Sequence, residues 1–414
     1  MTPGENQASS QSIWGQLRAL PRNIWVLTVS SLLTDISSEM IVHLLPLFLA
    51  NILGVRTVTI GLIEGMAETT ASLLKLWSGR FSDKLGQRKS LTVTGYALST
   101  FAKPFLVLAH SWPAVLTIRF LERSGKGLRA APRDALVADS IPAERRGFAF
   151  GVHRTGDTAG AALGLVVAIL VIWRLQGQAL LLQQATFTTV VWLSVIPAFL
   201  AVILLAFGIQ EIRPAAGATQ NRPAATPLPA NFRRFLLIVL VFTLGNSADA
   251  FLVLRAQERG LSLLGVLGML LAFNVVYALV AGPAGSLSDR IGRRRLLLAG
   301  WLLYALIYLG FALARNSSEV IGLMLLYGLY NALTVGAAKS FVADLVPVQQ
   351  RGTAYGWYNG AIGLAALPAS IIAGLLWQGA GSWPGFGAPA PFLFGASMSL
   401  IALVLLLWWL PQTE

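Results

Sequence analysis

Val137-Ala138-Asp139-Ser140-Ile141-Pro142-Ala143-Glu144-Arg145-Arg146-Gly147-Phe148-Ala149-Phe150-Gly151 recurs 205 residues later as Val342-Ala343-Asp344-Leu345-Val346-Pro347-Val348-Gln349-Gln350-Arg351-Gly352-Thr353-Ala354-Tyr355-Gly356, with eight identities in fifteen positions. A second match, at an offset of 206, pairs Gly79, Asp83, Gly86 and Arg88 with Gly285, Asp289, Gly292 and Arg294. Two matches at nearly one offset mark a duplicated half-chain.

What surrounds these stretches is mostly apolar. Of 414 residues, 55% are hydrophobic and only 12% charged, with mean hydropathy +0.67. Soluble domains carry about 25% charged residues, so a soluble enzyme and a disordered chain are excluded. The net charge of +13 and pI near 10.6 do not indicate a nucleic-acid partner, because basic residues of a polytopic membrane protein belong in cytoplasmic loops. There is no cysteine, which excludes disulfides and thiol chemistry.

Twelve stretches are long enough to cross a bilayer, which takes about 20 apolar residues. Spans 1 to 6 are 24–51, 58–80, 90–109, 112–138, 146–173 and 186–207; spans 7 to 12 are 234–257, 261–285, 294–313, 318–341, 351–377 and 390–410. The polar stretch before Trp25 does not read as a signal peptide. The expected fold is all-α and polytopic: an N-terminal six-helix bundle (1–207), a cytoplasmic linker rich in Pro and Ala (208–233) and a C-terminal six-helix bundle (234–414). With the termini inside, 17 of the 31 Lys and Arg fall on the inner side and 5 on the outer, Arg255 among the latter. That imbalance predicts cytoplasmic N- and C-termini.

Gly79-Arg80-Phe81-Ser82-Asp83-Lys84-Leu85-Gly86-Gln87-Arg88-Lys89 resembles the signature loop of major facilitator transporters, G-x-x-x-D-x-x-G-R-[KR]-x, with Gln87 where that family has Arg. The second copy, Gly285 to Arg295, fits with Arg293 and Arg294 in place. Glycines permit a tight turn there, and a carboxylate is favoured at a helix N-terminus. The resemblance implies two pseudo-symmetric bundles with the site at the midplane between them. It also implies a cytoplasmic latch: Asp83 at the start of span 11 near Arg351, Asp289 at the start of span 5 near Arg146, supported by Gly79, Gly86, Arg88, Gly285 and Arg293.

Charges inside spans cost about 2.5–3.5 kcal/mol each on insertion scales, yet this chain carries many. Asp35, Glu39 and His43 share one face of span 1, and Glu64 and Glu68 lie in span 2. Span 4 carries Arg119, Glu122, Arg123, Lys126, Arg129, Arg133 and Asp134; span 5 carries His153, Arg154 and Asp157. The second half offers Asp249 and Lys339. The candidate proton-coupling and substrate cavity is therefore Asp35, Glu39, Glu64, Arg119, Glu122, Arg123, Lys126, Arg133, Asp134, Arg154, Asp157, Asp249 and Lys339, with Asp35 and Glu39 ranked first. Permanent ion pairing between helices is the competing role for any one of them. Arg119-Phe120-Leu121-Glu122-Arg123-Ser124-Gly125 resembles the family's span-4 motif R-x-x-Q-G-x-G, whose Arg the resemblance links to proton coupling. Gly156, Gly160 and Gly164 form a close-packing stripe that also partly resembles the family's antiporter motif. With Lys75 in span 2 and Lys103 in span 3, embedded bases number nine against eight acids; with the dense basic face of span 4 this favours an anionic or zwitterionic solute.

These features lead us to expect a proton-coupled secondary transporter in a prokaryotic inner membrane, exporting a small anionic or amphiphilic organic solute by alternating access as a monomer. The proton gradient would supply the energy. No enzymatic activity, cofactor or nucleic-acid partner is expected, and no G-x-x-x-x-G-K-[ST] loop for ATP is present. Thr34 to Met40 and Gly125 to Leu136 resemble a poorly characterised prokaryotic branch of facilitator permeases and also magnetosome-type iron permeases. Divalent metal or metal-chelate transport, with Asp35, Glu39, His43 and His153 as ligands, is the alternative. A non-transporting membrane scaffold or receptor ranks third.

Overall fold

A computed structural model describes residues 13–85, 87–142, 145–211, 227–347 and 350–410. In hydrocarbon every backbone polar group must be satisfied within the chain, and each of the twelve expected spans is helical. Span 1 is Arg22–Val42 continued by Leu45–Leu47 and Phe48–Ile52; span 2 is Thr57–Leu85; span 3 is Arg88–Ala102 with Lys103–Leu108. Spans 4, 5 and 6 are Trp112–Asp139, Arg146–Gln176 and Gln184–Gly208. Span 7 is divided into Ala230–Gly245 and Ala250–Glu258. Spans 8 to 12 are Leu263–Ile291, Arg293–Leu313, Ser317–Asp344, Arg351–Gln378 and Ala390–Trp409.

Ten of these are long and apolar enough to cross a membrane by composition. The other two, spans 2 and 4, hold most of the embedded charge and pack against each other inside the first bundle. The linker is shorter than expected. Pro229 precedes the first helical residue of span 7, so 230–233 belong to the helix. Residues 212–226 of the linker lie outside the described residues.

Glycines set the closest helix crossings. A Cβ on Gly156, Gly160 or Gly164 would come within 2.6, 2.4 and 2.4 Å of Thr28, Leu32 and Ile36, so the span-5 stripe is the seam against span 1. Between the halves, spans 2 and 11 form the most extensive contact. Thr57 Oγ1 donates to the Gly374 carbonyl (3.1 Å) and Thr69 Oγ1 to that of Gly363 (2.5 Å). A Cβ on Gly61 or Gly374 would collide with the facing backbone at 2.1 and 2.4 Å.

At the end away from the termini the halves are also tied by loops. The Leu263 N–H donates to the Ala179 carbonyl (3.2 Å), Gln257 Nε2 to that of Leu180 (3.0 Å), and the Thr57 N–H to Gln378 Oε1 (2.8 Å). At the terminal end a cavity of about 660 Å³ separates spans 2, 4 and 5 from spans 8 and 10. The two bundles are therefore joined at the far end, while towards the terminal end the cavity opens beside the contact of Leu76 in span 2 with Gly356 and Gly360 in span 11.

Candidate functional site

Span 4 organises the first bundle. Arg119 is buried and donates to both oxygens of Glu64 (2.9 and 3.2 Å) and to Glu122 (2.6 Å), tying span 2 to span 4. Two carboxylates on one guanidinium is a strong, geometrically fixed arrangement. Arg129 lies over the Tyr96 ring at 4.2 Å and donates to Ser99 (3.0 Å). The crossing of spans 3 and 4 needs Gly125, whose Cβ would meet Ser99 Oγ at 2.4 Å and the Gly95 carbonyl at 2.5 Å. Arg133 donates to Asp134 (2.9 Å) and Ser31 (3.2 Å). These groups serve in part as helix-to-helix ties.

Other charges face open space. A small cavity of about 50 Å³ gathers Asp35, Glu39, Arg123, Lys126 and Arg129. Beside it, at the level of the break in span 7, a chamber of about 360 Å³ lies between the bundles. Its first-half wall presents His43, Glu64, Glu68 and Arg123; its second-half wall presents Asn246, Ser247, Asp249, Tyr327, Asn331 and Ser370. Glu64 is held by Arg119, and His43 is 3.0 Å from Glu39. Arg123, Glu68 and Asp249 have no ion-pair partner among the described residues, and the Arg123 Nε is buried without a hydrogen bond. One free cation and two free acids thus meet uncharged hydrogen-bonding groups, a set suited to holding a small charged solute. Lys75, Arg154 and Lys339 line the larger, terminal-side cavity with Arg133, Asp134 and Asp157.

Of the alternative metal set, Glu39 pairs with His43, His153 lies 3.3 Å from Asp157, which is outside the set, and Asp35 joins neither pair. Among the described residues no three His, Asp or Glu side chains converge as metal ligands.

Several features escaped the sequence reading. The first is the break in span 7 at 246–249, which puts Asp249 at the start of a new helix segment. Tyr304 Oη donates to the Gly245 carbonyl (3.3 Å) and Asn246 Oδ1 (3.2 Å), pinning that break. Tyr304 stacks on Tyr308, Tyr327 on Tyr330 and Phe242 on Trp301, with tilted contacts joining these pairs, so the second bundle is built on aromatics where the first is built on charge. A Gly245-Asn246 step inside an apolar run was the available signal. The second is the setting of Lys103, one of the expected embedded bases, which is buried and held by the Ser37 (2.5 Å) and Ser38 (3.2 Å) hydroxyls. The third is Arg255, expected at the outer surface. It is fully buried, donates to the carbonyls of Phe311 (3.0 Å), Ala312 (3.0 Å) and Ala314 (3.3 Å), and pairs with Glu258 (2.6 Å). Its guanidinium caps the carbonyl end of span 9.

Of the expected latch, Gly86 and the side chains of Asp83, Arg146 and Asp289 lie outside the described residues, and Gly285 is part of the span-8 helix. Gly79 faces Ala131 in its own bundle, and Arg351 is exposed at the start of span 11. Arg88 pairs with Asp139, and Arg293 with Asp344, each within its own half. Arg88 also donates to the Ala135 carbonyl (3.3 Å) and Arg293 to that of Ser340 (3.3 Å). The structural counterpart of Arg88 is therefore Arg293, not Arg294. The reason is helix register: two residues join spans 2 and 3, whereas Gly292 alone, at φ 91°, joins spans 8 and 9. The offset thus falls from 206 to 205 across the turn.

An uncharacterized MFS-type transporter of Methanocaldococcus jannaschii is 35% identical over 397 residues, 94% of this chain and 96% of its own length. A multi-drug resistance efflux pump of Streptococcus pneumoniae is 24% identical over 342 residues, 78% of this chain and 82% of its own. The crystal structure of a nucleoside transporter superposes with a TM-score of 0.76 at 13% identity, over 93% of this chain and 98% of that one. The family model described as Major Facilitator Superfamily matches residues 27–274 and 235–414. Twelve helical spans in two halves, charged groups meeting between them and a family match along almost the whole length agree: the chain is a membrane transporter of the Major Facilitator Superfamily.

Proposed function

We propose that this transporter is driven by the proton gradient and moves a small anionic or amphiphilic organic solute, with export as its working direction. The observation that carries this reading is the chamber between the bundles, where Arg123, Glu68 and Asp249 stand without ion-pair partners. Arg123 supplies an anchor for a carboxylate, sulfonate or phosphate. Glu68 and Asp249, with Asp35 and Glu39 in the adjoining small cavity, supply proton sites.

Proton and solute draw on one set of charges, so each changes the affinity for the other. Export against a gradient requires that an entering proton displace the solute. The likeness to a multi-drug resistance efflux pump supports that direction. The Lys and Arg imbalance supports cytoplasmic termini and a prokaryotic inner-membrane setting. The complete pathway within one chain supports a monomer as the working unit.

The test is a thermal-shift screen of the purified protein against organic anions, drugs and divalent metals at two pH values, followed by proton release on binding of the best ligand. An organic anion or amphiphile that stabilises the protein and expels protons is expected. Stabilisation by divalent metals alone would overturn the reading.

A further inference from the structure

We propose that Lys75, Arg154 and Lys339 form a counter-anion site that controls closure of the terminal-side cavity. The inference rests on reading that cavity as the solute's route, and it adds where an anion acts and how many charges it carries.

Three observations converge. First, the cavity of about 660 Å³ has one half of the molecule on each side: Lys75 of span 2 and Arg154 of span 5 on one wall, Lys339 of span 10 on the other. Second, the bases on the cavity wall outnumber the acids. Arg133 is paired with Asp134 at 2.9 Å, which leaves Asp157, 3.3 Å from His153, against three further cations. Lys75, Arg154 and Lys339 are exposed and have no carboxylate partner among the described residues. Third, Lys339 lies across the cavity from Lys75 and Arg154, and the acid also within its electrostatic range, Asp134, is paired with Arg133.

These cations lie within spans, so the loop bias that sets topology does not explain them. Bringing the walls together concentrates like charge in a space that is losing its water, and repulsion grows as the local dielectric falls. An anion with two or more negative charges can engage Arg154 through its fork and Lys75 and Lys339 as point charges. It removes the repulsion and bridges the halves, so it binds the closed form more tightly than the open one. A ligand shifts a conformational equilibrium only through such a difference. The class implied is a di- or tricarboxylate or a phosphate ester.

The chain has no cysteine, so Phe150→Cys and Val335→Cys, on opposite walls of the cavity, can carry spin labels alone. Their separation is measured in nanodiscs with citrate as probe, against chloride at equal ionic strength. Citrate is expected to move the population to shorter distances. K339Q should lose this response and bind citrate about ten-fold more weakly, the size of one charge-assisted hydrogen bond. K339E, whose carboxylate faces Lys75 and Arg154, should populate the short distance without citrate. No citrate shift in the native background, or an undiminished shift in K339Q, overturns the proposal. Citrate-driven closure in a protein that moves no organic anion would support the gate and remove the anionic-solute reading. Anion transport at native rate in K339Q would remove the gate and leave that reading standing.

Discussion

Arg119 and Arg255 are both buried arginines, and they show two ways a charge survives inside a membrane helix. Arg119 neutralises two carboxylates, Glu64 and Glu122. Replacing it by Gln leaves both acids without their partner, a change that costs about 3–5 kcal/mol when a buried pair is broken from one side. The apparent Tm of Arg119→Gln in detergent should fall sharply, and Glu64→Gln should fall less, because Glu122 still holds the guanidinium. Arg255 instead satisfies three carbonyls where span 9 ends. Arg255→Gln should lower stability by about 1–3 kcal/mol while leaving solute binding in the chamber unchanged, read by thermal unfolding with and without ligand. Both residues were visible in the sequence, but only one role was. The i, i+3 spacing of Arg119 and Glu122 announces a pair. Nothing local to Arg255 announces carbonyls 56 to 59 residues away, so it read as a base at the outer end of span 7.

Between helices, legibility followed periodicity. The Gly156, Gly160 and Gly164 stripe predicted a close seam from spacing alone, and it packs on span 1. Gly160→Leu should force spans 1 and 5 apart and cost at least about 1–3 kcal/mol. Gly151→Ala, with nothing within 4 Å, should leave the melting temperature unchanged. Equal Tm values for the two variants would show that the seam does not bear on stability. The break in span 7 was missed although Gly245-Asn246 signalled it, because its apolar run continues on both sides and Tyr304, 58 residues on, holds the interruption. The turn between spans 2 and 3 was misaligned for a related reason. Identity matching aligned Arg88 with Arg294, whereas the helix starts align it with Arg293, and only the helix ends show the extra residue.

Across the whole molecule, the repeat and the shortage of charge were enough to specify twelve spans in two halves. They also showed that chemistry concentrates in the first half, which the structure sharpens: charge organises one bundle and stacked aromatics the other. What the sequence could not order is which charges are ties and which are free, because that depends on facing helices. At the far end, Gln257 and Gln378 each bond across the halves. Interhelical hydrogen bonds in membranes average about 0.6 kcal/mol. Gln257→Leu combined with Gln378→Leu should therefore raise the population opened at that end several-fold, read from spin-label distances across the far-end loops. The central claim is that embedded carboxylates couple solute movement to protons. It is tested most directly in proteoliposomes, using a solute found by the thermal-shift screen and an imposed pH gradient. The account predicts gradient-driven accumulation in the native protein. Asp35→Asn and Glu39→Gln should abolish accumulation while exchange without a gradient persists. Undiminished accumulation in both variants would contradict it.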